Sequence, residues 1–523
     1  MSDILLSLLI WMPLLGALLA VLVDQKNRNP HLARWIGLGF ALLTLVLCIP
    51  LIADFNALSP AMQFQEHWVW IPFLHINYSL GVDGISVLFI ALTAFTNVVV
   101  ILSAWNVIQD RVGQYMAIFL ISTGVMNGAF AATNAILFYI FWEASMIPML
   151  LGVGIWGSKR RAYASIKFFL YTFLGSIFML VAFLYMFTKT GNFSIGAFQG
   201  LAHPGGLHDL TRTEQGWIFL AFLAAFAVKI PMWPFHTWLP DAHTEAPSGG
   251  SVILAALMLK MGAYGFIRFS LPIVPDVHAD MAWLLIGLSL IAIVYVGLAS
   301  IVQKDMKRLI AYSSISHMGI VTLGMFSVFM IVGQMAGHSL QNHSDAVLAL
   351  QGAIFQMISH AFSSGALFIA VGYLYDRFGS RLISDYQGLA KTMPVFAAFF
   401  MLFSMANVGL PGTSGFVGEF MVLIAVFKAN VWIALIAGLT LILAPAYTLW
   451  MVKRILFGRI QSAAITNAKD LGANEWLVMI LLAIPVILFG VYPELILHLS
   501  HATASHFVNH IAGDIVPGVY SRG

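Results

Sequence analysis

The chain has 523 residues, of which 60% are apolar and only 9% are Asp, Glu, Lys or Arg, and its mean hydropathy is +0.90. This composition lies outside the range of soluble domains, so it excludes a soluble enzyme and predicts one membrane domain over residues 1–523. The formal charge of +3 comes without a dense basic stretch, which excludes nucleic acid as a partner. The single cysteine excludes an intrachain disulfide and cofactors held by several thiolates.

Apolar runs long enough to cross a bilayer, which takes about 20 residues, recur along the whole chain. The fourteen candidates are 3–23, 34–53, 84–105, 114–131, 133–155, 164–188, 214–239, 247–271, 281–302, 308–330, 346–375, 393–427, 430–456 and 475–498. The first run lacks the basic start and the cleavage site of a signal peptide, so we expect it to be retained as a helix. The pattern predicts an all-α integral membrane fold with about fourteen transmembrane helices.

The positions of the basic residues test this count, because Lys and Arg collect in loops on the cytoplasmic side. With fourteen spans, most of the 25 basic residues fall on one side, including the clusters 159–161, 304–308 and 453–454. The alternation predicts a multi-pass protein with both termini on the periplasmic side, and the start without a transit peptide suits a bacterial inner membrane. On that outer side, the alternating aromatic residues of 54–82 predict a short hairpin.

Two stretches of the sequence suggest an internal repeat. At an offset of 190 residues, Gly175 matches Gly365. Separately, the segments VKIPMWP (228–234) and VGLPGTS (408–414) each place a proline inside an apolar run. Broken helices persist in lipid only where they line protein or a water-filled cavity, so paired breaks indicate a transport site near the midplane. Chance similarity within a biased composition is the alternative explanation.

Four ionisable side chains fall at the depth of the bilayer. Glu143 and Lys260 lie near the middle of their spans, and Lys229 and Glu419 lie beside the two breaks. A charged side chain at the bilayer centre costs about 2.5–3.5 kcal/mol on insertion scales, so each needs a partner or water. An inert ion pair between Glu143 and a lysine is one hypothesis. Because apolar packing could replace a purely structural set, we favour a proton relay, in which a lysine releases its proton when its partner glutamate moves away.

Histidines extend this set of groups. His236, His317 and His360 lie in or beside the same spans. An imidazole with its ordinary pKa of about 6.5 can pass protons, although a membrane histidine is as often a hydrogen-bonded structural group. His236 and His243 do not have the spacing of a zinc-binding motif, so no metal site is predicted.

Two further features of the sequence limit which functional sites are expected. Lys167 and Arg268 lie near the ends of spans, so we expect their side chains to extend toward the membrane surface. The stretch PSGGSV lacks the spacing of a phosphate-binding loop, which excludes a nucleotide site there.

Three stretches carry a resemblance to a known family: PMWPFHTWLPDAHTEAPSGGSVILAALMLKMGAYGFIR (231–268), FWEASMIPM (141–149) and GLPGTSGFVGEF (409–420). Together they resemble the antiporter-like subunits of proton-pumping NADH:quinone oxidoreductase, respiratory complex I. The resemblance implies two inverted five-helix repeats and two discontinuous helices. The expected divisions are 1–110 for the N-terminal helices and outer hairpin, 111–272 for the first repeat, 280–457 for the second repeat and 458–523 for the C-terminal helix and tail.

Local features favour one branch of that family. Most members carry a lysine after the second break, whereas the M-type subunit, called subunit 4 in mitochondria, carries a glutamate there, matching Glu419. The chain also stops soon after its fourteenth predicted helix, without the long lateral helix of the L-type subunit. By resemblance, the proton-transfer residues are Glu143, Lys229, Lys260, Glu419, His236, His317 and His360.

The resemblance implies a proton-translocating membrane-arm subunit of an NADH:quinone oxidoreductase, with no redox chemistry on this chain. FMN, iron–sulfur clusters and quinone are then expected on partner subunits, and no cofactor or metal on this one. The expected partners are the other membrane subunits, two of them related antiporter-like chains, and the lipid bilayer. A subunit of a multi-subunit sodium/proton antiporter is the alternative, and a membrane scaffold with inert charges is a third hypothesis.

Overall fold

The computed structural model of the protein describes residues 4–202, 210–334, 339–460 and 463–515. Within these ranges, eleven helices are long and apolar enough to cross a membrane. The predicted all-α membrane fold is confirmed, and the total of fourteen spans stays a prediction. The tail predicted beyond residue 515 lies outside the described residues.

The N-terminal part of the chain consists of three helices and a hairpin. Its elements are α1 (Leu5–Val23), α2 (Pro30–Ala53), β1 (Gln63–Ile71), β2 (Ile76–Val82) and α3 (Ser86–Ser103). The strands pair antiparallel, as the alternating aromatic residues predict, and Trp68 stacks on Tyr78 with ring centroids 5.6 Å apart. The Glu66 carboxylate accepts hydrogen bonds from the first turn of α1, including one of 2.7 Å from the backbone N–H of Leu6. The hairpin is thereby fixed to the bundle.

The middle of the chain contains a discontinuous helix followed by a fully buried one. Its helices are α4 (Val112–Ala131), α5 (Ala135–Ala144), α6 (Met146–Trp156), α7 (Arg161–Thr190), α8 (Ile195–Gln199), α9 (Arg212–Lys229), α10 (Trp238–Glu245), α11 (Ser248–Ile253), α12 (Leu259–Gly265) and α13 (Leu271–Ile273). Helices α11 to α13 are joined by π-helical turns at Leu254–Met258 and Phe266–Ser270. These turns keep 248–273 as one continuous span.

The second half of the chain repeats the combination of long buried helices with a broken one. Its helices are α14 (Pro275–Ile291), α15 (Gly297–Ile301), α16 (Met306–Gly333), α17 (Ser339–Phe378), α18 (Leu389–Thr392), α19 (Pro394–Val408), α20 (Ser414–Ala429), α21 (Val431–Ala437) and α22 (Thr440–Leu456). A π-helical turn at Ala292–Val296 joins α14 to α15. The chain continues with α23 (Ala463–Thr466), α24 (Ala473–Val491) and α25 (Glu494–Ile515).

Burial separates central helices from peripheral ones. The most apolar windows of 248–273, 306–333 and 342–378 are fully buried, whereas those of α2 and α24 are one-third buried. Helix α16 packs on α17, and α17 packs on α20. The central helices therefore meet only protein, and any charge on them must be satisfied inside the bundle.

Both predicted breaks are present, and each has a local cause. Helix α9 ends before Pro231, which has no N–H to continue the ladder, and the backbone N–H of Met232 turns back to Ala227 O at 2.8 Å. Helix α19 ends at Gly409 with φ +82°, a conformation that suits glycine. A Cβ on Gly415, in the first turn of α20, would lie 2.0 Å from Ala406 O. The second break therefore depends on glycines as well as on proline.

The structure differs from the sequence expectation in two other helices. The predicted span 133–155 is interrupted at Ser145, between α5 and α6. The predicted span 475–498 is two helices, because the chain turns at Pro493 between α24 and α25. Neither interruption changes the hydropathy of its run, so a hydropathy pattern alone could not locate them.

The expectation that Arg268 extends to the membrane surface is wrong. Its side chain is buried, with Nη2 at 2.6 Å from Asp83 Oδ2 and Nε donating to the Tyr264 hydroxyl at 3.1 Å. Asp83 follows the hairpin and folds back over this end of the bundle, so the guanidinium finds a carboxylate within protein. Lys167 is partly exposed, and its amine pairs with Asp241 Oδ2 at 2.7 Å.

The Asp83–Arg268 pair gives a stability prediction. Arg268→Met leaves a buried carboxylate without its partner, so we expect it to destabilise the protein by about 3–5 kcal/mol. Removing both charges with Asp83→Asn and Arg268→Met should recover most of that loss. Arg212→Met breaks an exposed pair with Asp280 and should cost at most about 1 kcal/mol. Thermal unfolding of the purified protein in detergent compares the three; equal losses for Arg268→Met and Arg212→Met would contradict this account.

Candidate functional site

Lys229 lies at the end of α9, in a cradle made by the residues around the break between α5 and α6. Its side chain is 1% exposed, and Nζ donates to Ser145 Oγ at 3.1 Å and to Trp142 O at 3.4 Å. The ammonium also lies over the Trp142 ring, 3.8 Å from its centroid, close enough for a cation–π interaction. The Trp142 carbonyl also accepts the Ser145 hydroxyl at 2.7 Å. The cradle thus holds a cation without a carboxylate in contact.

Glu143 does not contact Lys229 in this structure. The ion pairs among the described residues do not join the two, although they interact electrostatically. Glu143 Oε1 is buried and has no hydrogen-bond partner among the described residues. Glu143 is next to Trp142 in the chain, so a change of side-chain conformation at the break could bring the two charges together. The structure shows the separated arrangement of this predicted pair.

Lys260 lies in the fully buried span that follows the first break. Its amine is inaccessible and donates to Ala255 O at 2.5 Å, a carbonyl within the π-helical turn Leu254–Met258. The same Nζ lies 2.7 Å from His360 Nδ1 on α17. Since π-helical turns leave backbone groups in altered register, they recur at functional sites. The amine links the two halves of the bundle through His360.

His317 and Glu419 form a second buried contact in the same region. His317 Nδ1 on α16 lies 2.7 Å from Glu419 Oε1 on α20, and Gln356 Nε2 on α17 donates to the same oxygen at 3.0 Å. Glu419 Oε2 faces the second break, where a Cβ on Gly409 would lie 3.2 Å from it. This carboxylate therefore accepts N–H groups on one side and abuts the interrupted backbone on the other.

The two contacts join into one sequence of groups. The rings of His317 and His360 have centroids 5.7 Å apart, so the order of groups is Lys260, His360, His317 and Glu419. The second ring nitrogen of each histidine and Glu419 Oε2 lack protein partners among the described residues. Buried polar atoms without protein partners are sites for ordered water. We call these four residues the central string.

The central string lies beside the Lys229 cradle. A Cβ on Gly262, two residues after Lys260, would lie 2.7 Å from the backbone nitrogen of Ile230, which follows Lys229. The elements that carry the two lysines are thus in direct backbone contact. Both lysines are nearly fully buried, so any proton between them moves through protein or enclosed water.

His236, like Glu143, is a predicted residue that these contacts do not include. It lies in the first break, 7% exposed, with its ring 6.5 Å from that of Tyr312. In the described part of the chain, no hydrogen bond joins it to Lys229 or Lys260. Its role in transfer stays a prediction.

Sequence reasoning missed the groups that complete both sites. Ser145 and Trp142 flank Glu143 in the same short motif, and Gln356 lies one helical turn before His360, so helical spacing could have identified Gln356. The contribution of Trp142 is partly a backbone carbonyl, which no side-chain pattern reveals. Among the described residues, no group of three or more His, Cys, Asp or Glu is arranged to hold a metal ion.

The close packing at Gly418 gives a prediction for the central string. A Cβ there would lie 2.7 Å from both the backbone nitrogen and Oε1 of Gln356, so Gly418→Ala should force α17 and α20 apart. We expect a loss of about 1–3 kcal/mol, typical of overpacking, measured by thermal unfolding. Gly287→Ala is the matched control, since nothing lies within 4 Å of its Cβ. A Gly418→Ala protein as stable as this control would contradict the packing described.

Known proteins resemble this chain over nearly its whole length. Residues 132–444 match the model of the NADH:quinone oxidoreductase/Mrp antiporter membrane family. The NADH-quinone oxidoreductase subunit M of Rhodobacter capsulatus is 45% identical, covering 98% of both chains. The NADH-ubiquinone oxidoreductase chain 4 of Marchantia polymorpha is 39% identical over 97% of both chains.

The fold leads to the same relatives. A chain in the structure of respiratory complex I from Thermus thermophilus with bound NADH superposes with a TM-score of 0.84 and 30% identity, covering 97% of this chain and 99% of that one. The chain belongs to the NADH:quinone oxidoreductase/Mrp antiporter membrane family, in the branch formed by subunit M and chain 4.

Proposed function

We propose that this chain translocates protons as a membrane-arm subunit of an NADH:quinone oxidoreductase, driven by electron transfer on partner subunits. The observation that carries the proposal is the central string, in which a lysine, two histidines and a glutamate lie in sequence inside an apolar bundle. The similarity to subunit M and to chain 4 supports the assignment to the oxidoreductase. FMN, iron–sulfur clusters and quinone then belong to partner subunits. The partners in the membrane would include two related antiporter-like chains.

The direction of transfer follows from the loops and the breaks. A proton enters from the side of the basic loops, is held at Lys229 and Lys260, and leaves past Glu419. We place that side in the cytoplasm and both termini in the periplasm of a bacterial inner membrane, by the positive-inside rule. The two five-helix repeats over 111–272 and 280–457 would then each contribute one broken helix to the path.

Two of the three transfers along the central string use N–H groups already in position. The Lys260 ammonium donates toward His360 Nδ1, and His317 Nδ1–H donates to Glu419 Oε1. Between the rings, the free nitrogens require one intervening water or a ring rotation, since the centroids are 5.7 Å apart. Imidazole suits this relay because it binds a proton on one nitrogen as it releases one from the other.

The surroundings of Lys229 determine when this lysine releases its proton. In this structure the ammonium is held by a carbonyl, a hydroxyl and an indole face, all neutral groups. When Glu143 approaches, it stabilises the charged amine, and when Glu143 withdraws, the buried amine more readily gives up its proton. Movement of one carboxylate thereby determines when Lys229 passes its proton toward Lys260.

The sodium/proton antiporter alternative is less well supported. Glu419 Oε1 accepts hydrogen bonds from nitrogen donors on His317 and Gln356. A hard cation is bound by oxygen ligands, and the N–H donors at Glu419 would repel such a cation. This arrangement favours a proton as the transported species at Glu419.

The proposal predicts the behaviour of Glu143→Ala and Lys229→Ala in membrane vesicles. Because each removes a group of the coupled path, we expect NADH oxidation and proton pumping to fall together, by about ten-fold or more, while the complex still assembles. Both rates are normalised to assembled complex. Lys189→Ala is the control, since it breaks only a partly exposed pair with Glu214 and should leave both rates near those of the unmodified protein.

The scaffold hypothesis makes the opposite prediction. If the buried charges only lock helices together, the two variants lower the amount of assembled complex but leave its rates and its proton-to-electron ratio unchanged. That result would refute the relay.

A further inference from the structure

A cavity of about 120 Å³ opens on the face that carries the basic loops, away from the central string. It lies between the start of α11, the start of α16 and the end of α17. Its polar lining includes Tyr115, Lys307, Tyr373 and Asp376. A water molecule needs about 10–15 Å³ of such volume, so the cavity holds several.

Lys307 is the buried cation of this cavity. Sequence analysis placed it in a basic surface loop, but its side chain is only 3% exposed, in the first turn of α16. Its amine donates to Ala246 O at 2.8 Å, and no other hydrogen-bond partner occurs among the described residues. An ammonium has three N–H donors, so two remain to be satisfied, and water in the cavity is the available acceptor.

Tyr373 and Asp376 line the cavity from α17. The Tyr373 hydroxyl is buried and has no hydrogen-bond partner among the described residues, whereas Asp376 is exposed. The two residues are three positions apart on a helix, so they share one face. Asp376 and Lys307 interact electrostatically through this space. An exposed carboxylate, a buried hydroxyl and a buried amine thus line one cavity.

His243 lies between this cavity and the central string. It is fully buried, precedes Ala246 by one helical turn, and stacks on Phe368 with ring centroids 4.5 Å apart. Both of its ring nitrogens lack partners among the described residues. His243 interacts electrostatically with Lys307 on one side and with Lys260 on the other. Two unpartnered nitrogens in a protein interior indicate water on both sides of the ring.

We propose that Asp376, Tyr373 and Lys307 form the site where this chain takes up protons from the basic-loop side, and that His243 passes them to Lys260. This inference rests on the proposed function. Only O–H and N–H bonds break and form: the Lys307 ammonium first releases a proton through cavity water to one nitrogen of His243, and His243 releases a proton from its other nitrogen toward Lys260. Hydronium then protonates the Asp376 carboxylate, and cavity water carries that proton to the Lys307 amine, which is neutral at this point.

The other charged groups around Lys307 are already paired. Asp305, Arg381 and Glu245 act on it from the neighbouring loops and helix. Arg381 Nε lies 3.4 Å from Asp305 Oδ2, and Glu245 Oε2 accepts the backbone N–H of Arg160 at 2.9 Å. These partners fix the loops, and Asp376 remains as the carboxylate that both lines the cavity and reaches solvent.

The first test uses membrane vesicles that expose the basic-loop face. NADH oxidation and proton pumping, normalised to assembled complex, are measured for Asp376→Asn and Asp376→Glu with and without added formate. We expect Asp376→Asn to slow both at least about three-fold, formate to restore half or more of the loss, and Asp376→Glu to lose clearly less than Asp376→Asn, because each carboxylate supplies the missing proton carrier. Unchanged rates in Asp376→Asn, or a loss that formate does not restore, would overturn the proposal.

Asp470→Asn is the matched control on the same face. Its carboxylate accepts the backbone N–H groups of Val395 and Phe396 at the start of α19, so it acts on structure alone. Any loss of rate in Asp470→Asn should therefore be insensitive to formate. Equal restoration of both variants by formate would overturn the assignment of Asp376.

Lys307→Arg tests whether Lys307 carries protons or only holds the structure together through its hydrogen bond. Arginine keeps the charge and can still donate to Ala246 O, but its guanidinium does not release a proton. We expect rates several-fold below those of the unmodified protein with normal assembly; full rates would remove Lys307 from the path. Lys229→Ala, measured in parallel, distinguishes a failure of this inference from a failure of the proposed function. If it is impaired while Asp376→Asn is not, only this inference fails, and if neither is impaired, the proposed function fails.

Discussion

Burial of charge without lipid contact is the constraint on which the rest of this structure depends. The side chains of Lys229, Lys260, His317 and Glu419 are at most 2% exposed, so each charged or polar group must find its partner inside the bundle. Two of the partners come from interrupted helices: the Trp142 carbonyl, close to the interruption at Ser145, and the Ala255 carbonyl in the π-helical turn before Lys260. Helix breaks and buried charges are therefore parts of one arrangement.

This arrangement also accounts for a contact between the two halves of the chain. The span with Lys260 belongs to the first half, and His360 and Glu419 belong to the second. The Lys260–His360 contact is a link between halves made through a titratable pair. A change of charge on one side therefore alters the forces on the other, which is what a pump driven from a distant redox centre requires.

Much of this could be predicted from the sequence, because hydropathy and proline positions are local signals. The membrane fold, the hairpin and the breaks near Pro231 and Gly409 follow from such signals. The four buried charges were identifiable because a charge in an apolar run is costly. By contrast, the burial of Arg268 against Asp83 depends on how a distant hairpin folds back. Lys307 resembled a loop residue for the same reason, since tertiary packing alone encloses it.

The arrangement around Glu143 also lay beyond the sequence. Its spacing from Lys229 is compatible with a direct pair or a separated one, and the structure shows the separated form, with Trp142 and Ser145 holding the amine. That choice depends on the interruption at Ser145, which leaves no trace in hydropathy. Both forms are required if Glu143 is to control the lysine rather than only neutralise it.

The central claim is that Lys260 and Glu419 lie on one proton path. A double-variant cycle tests it most directly: NADH-driven proton pumping per assembled complex is measured for Lys260→Met, Glu419→Gln and both together. If the two residues act in sequence, the double variant should pump no worse than the more impaired single variant, since blocking one path twice adds little. If the losses multiply, the two residues act independently, and the central string is not a single path.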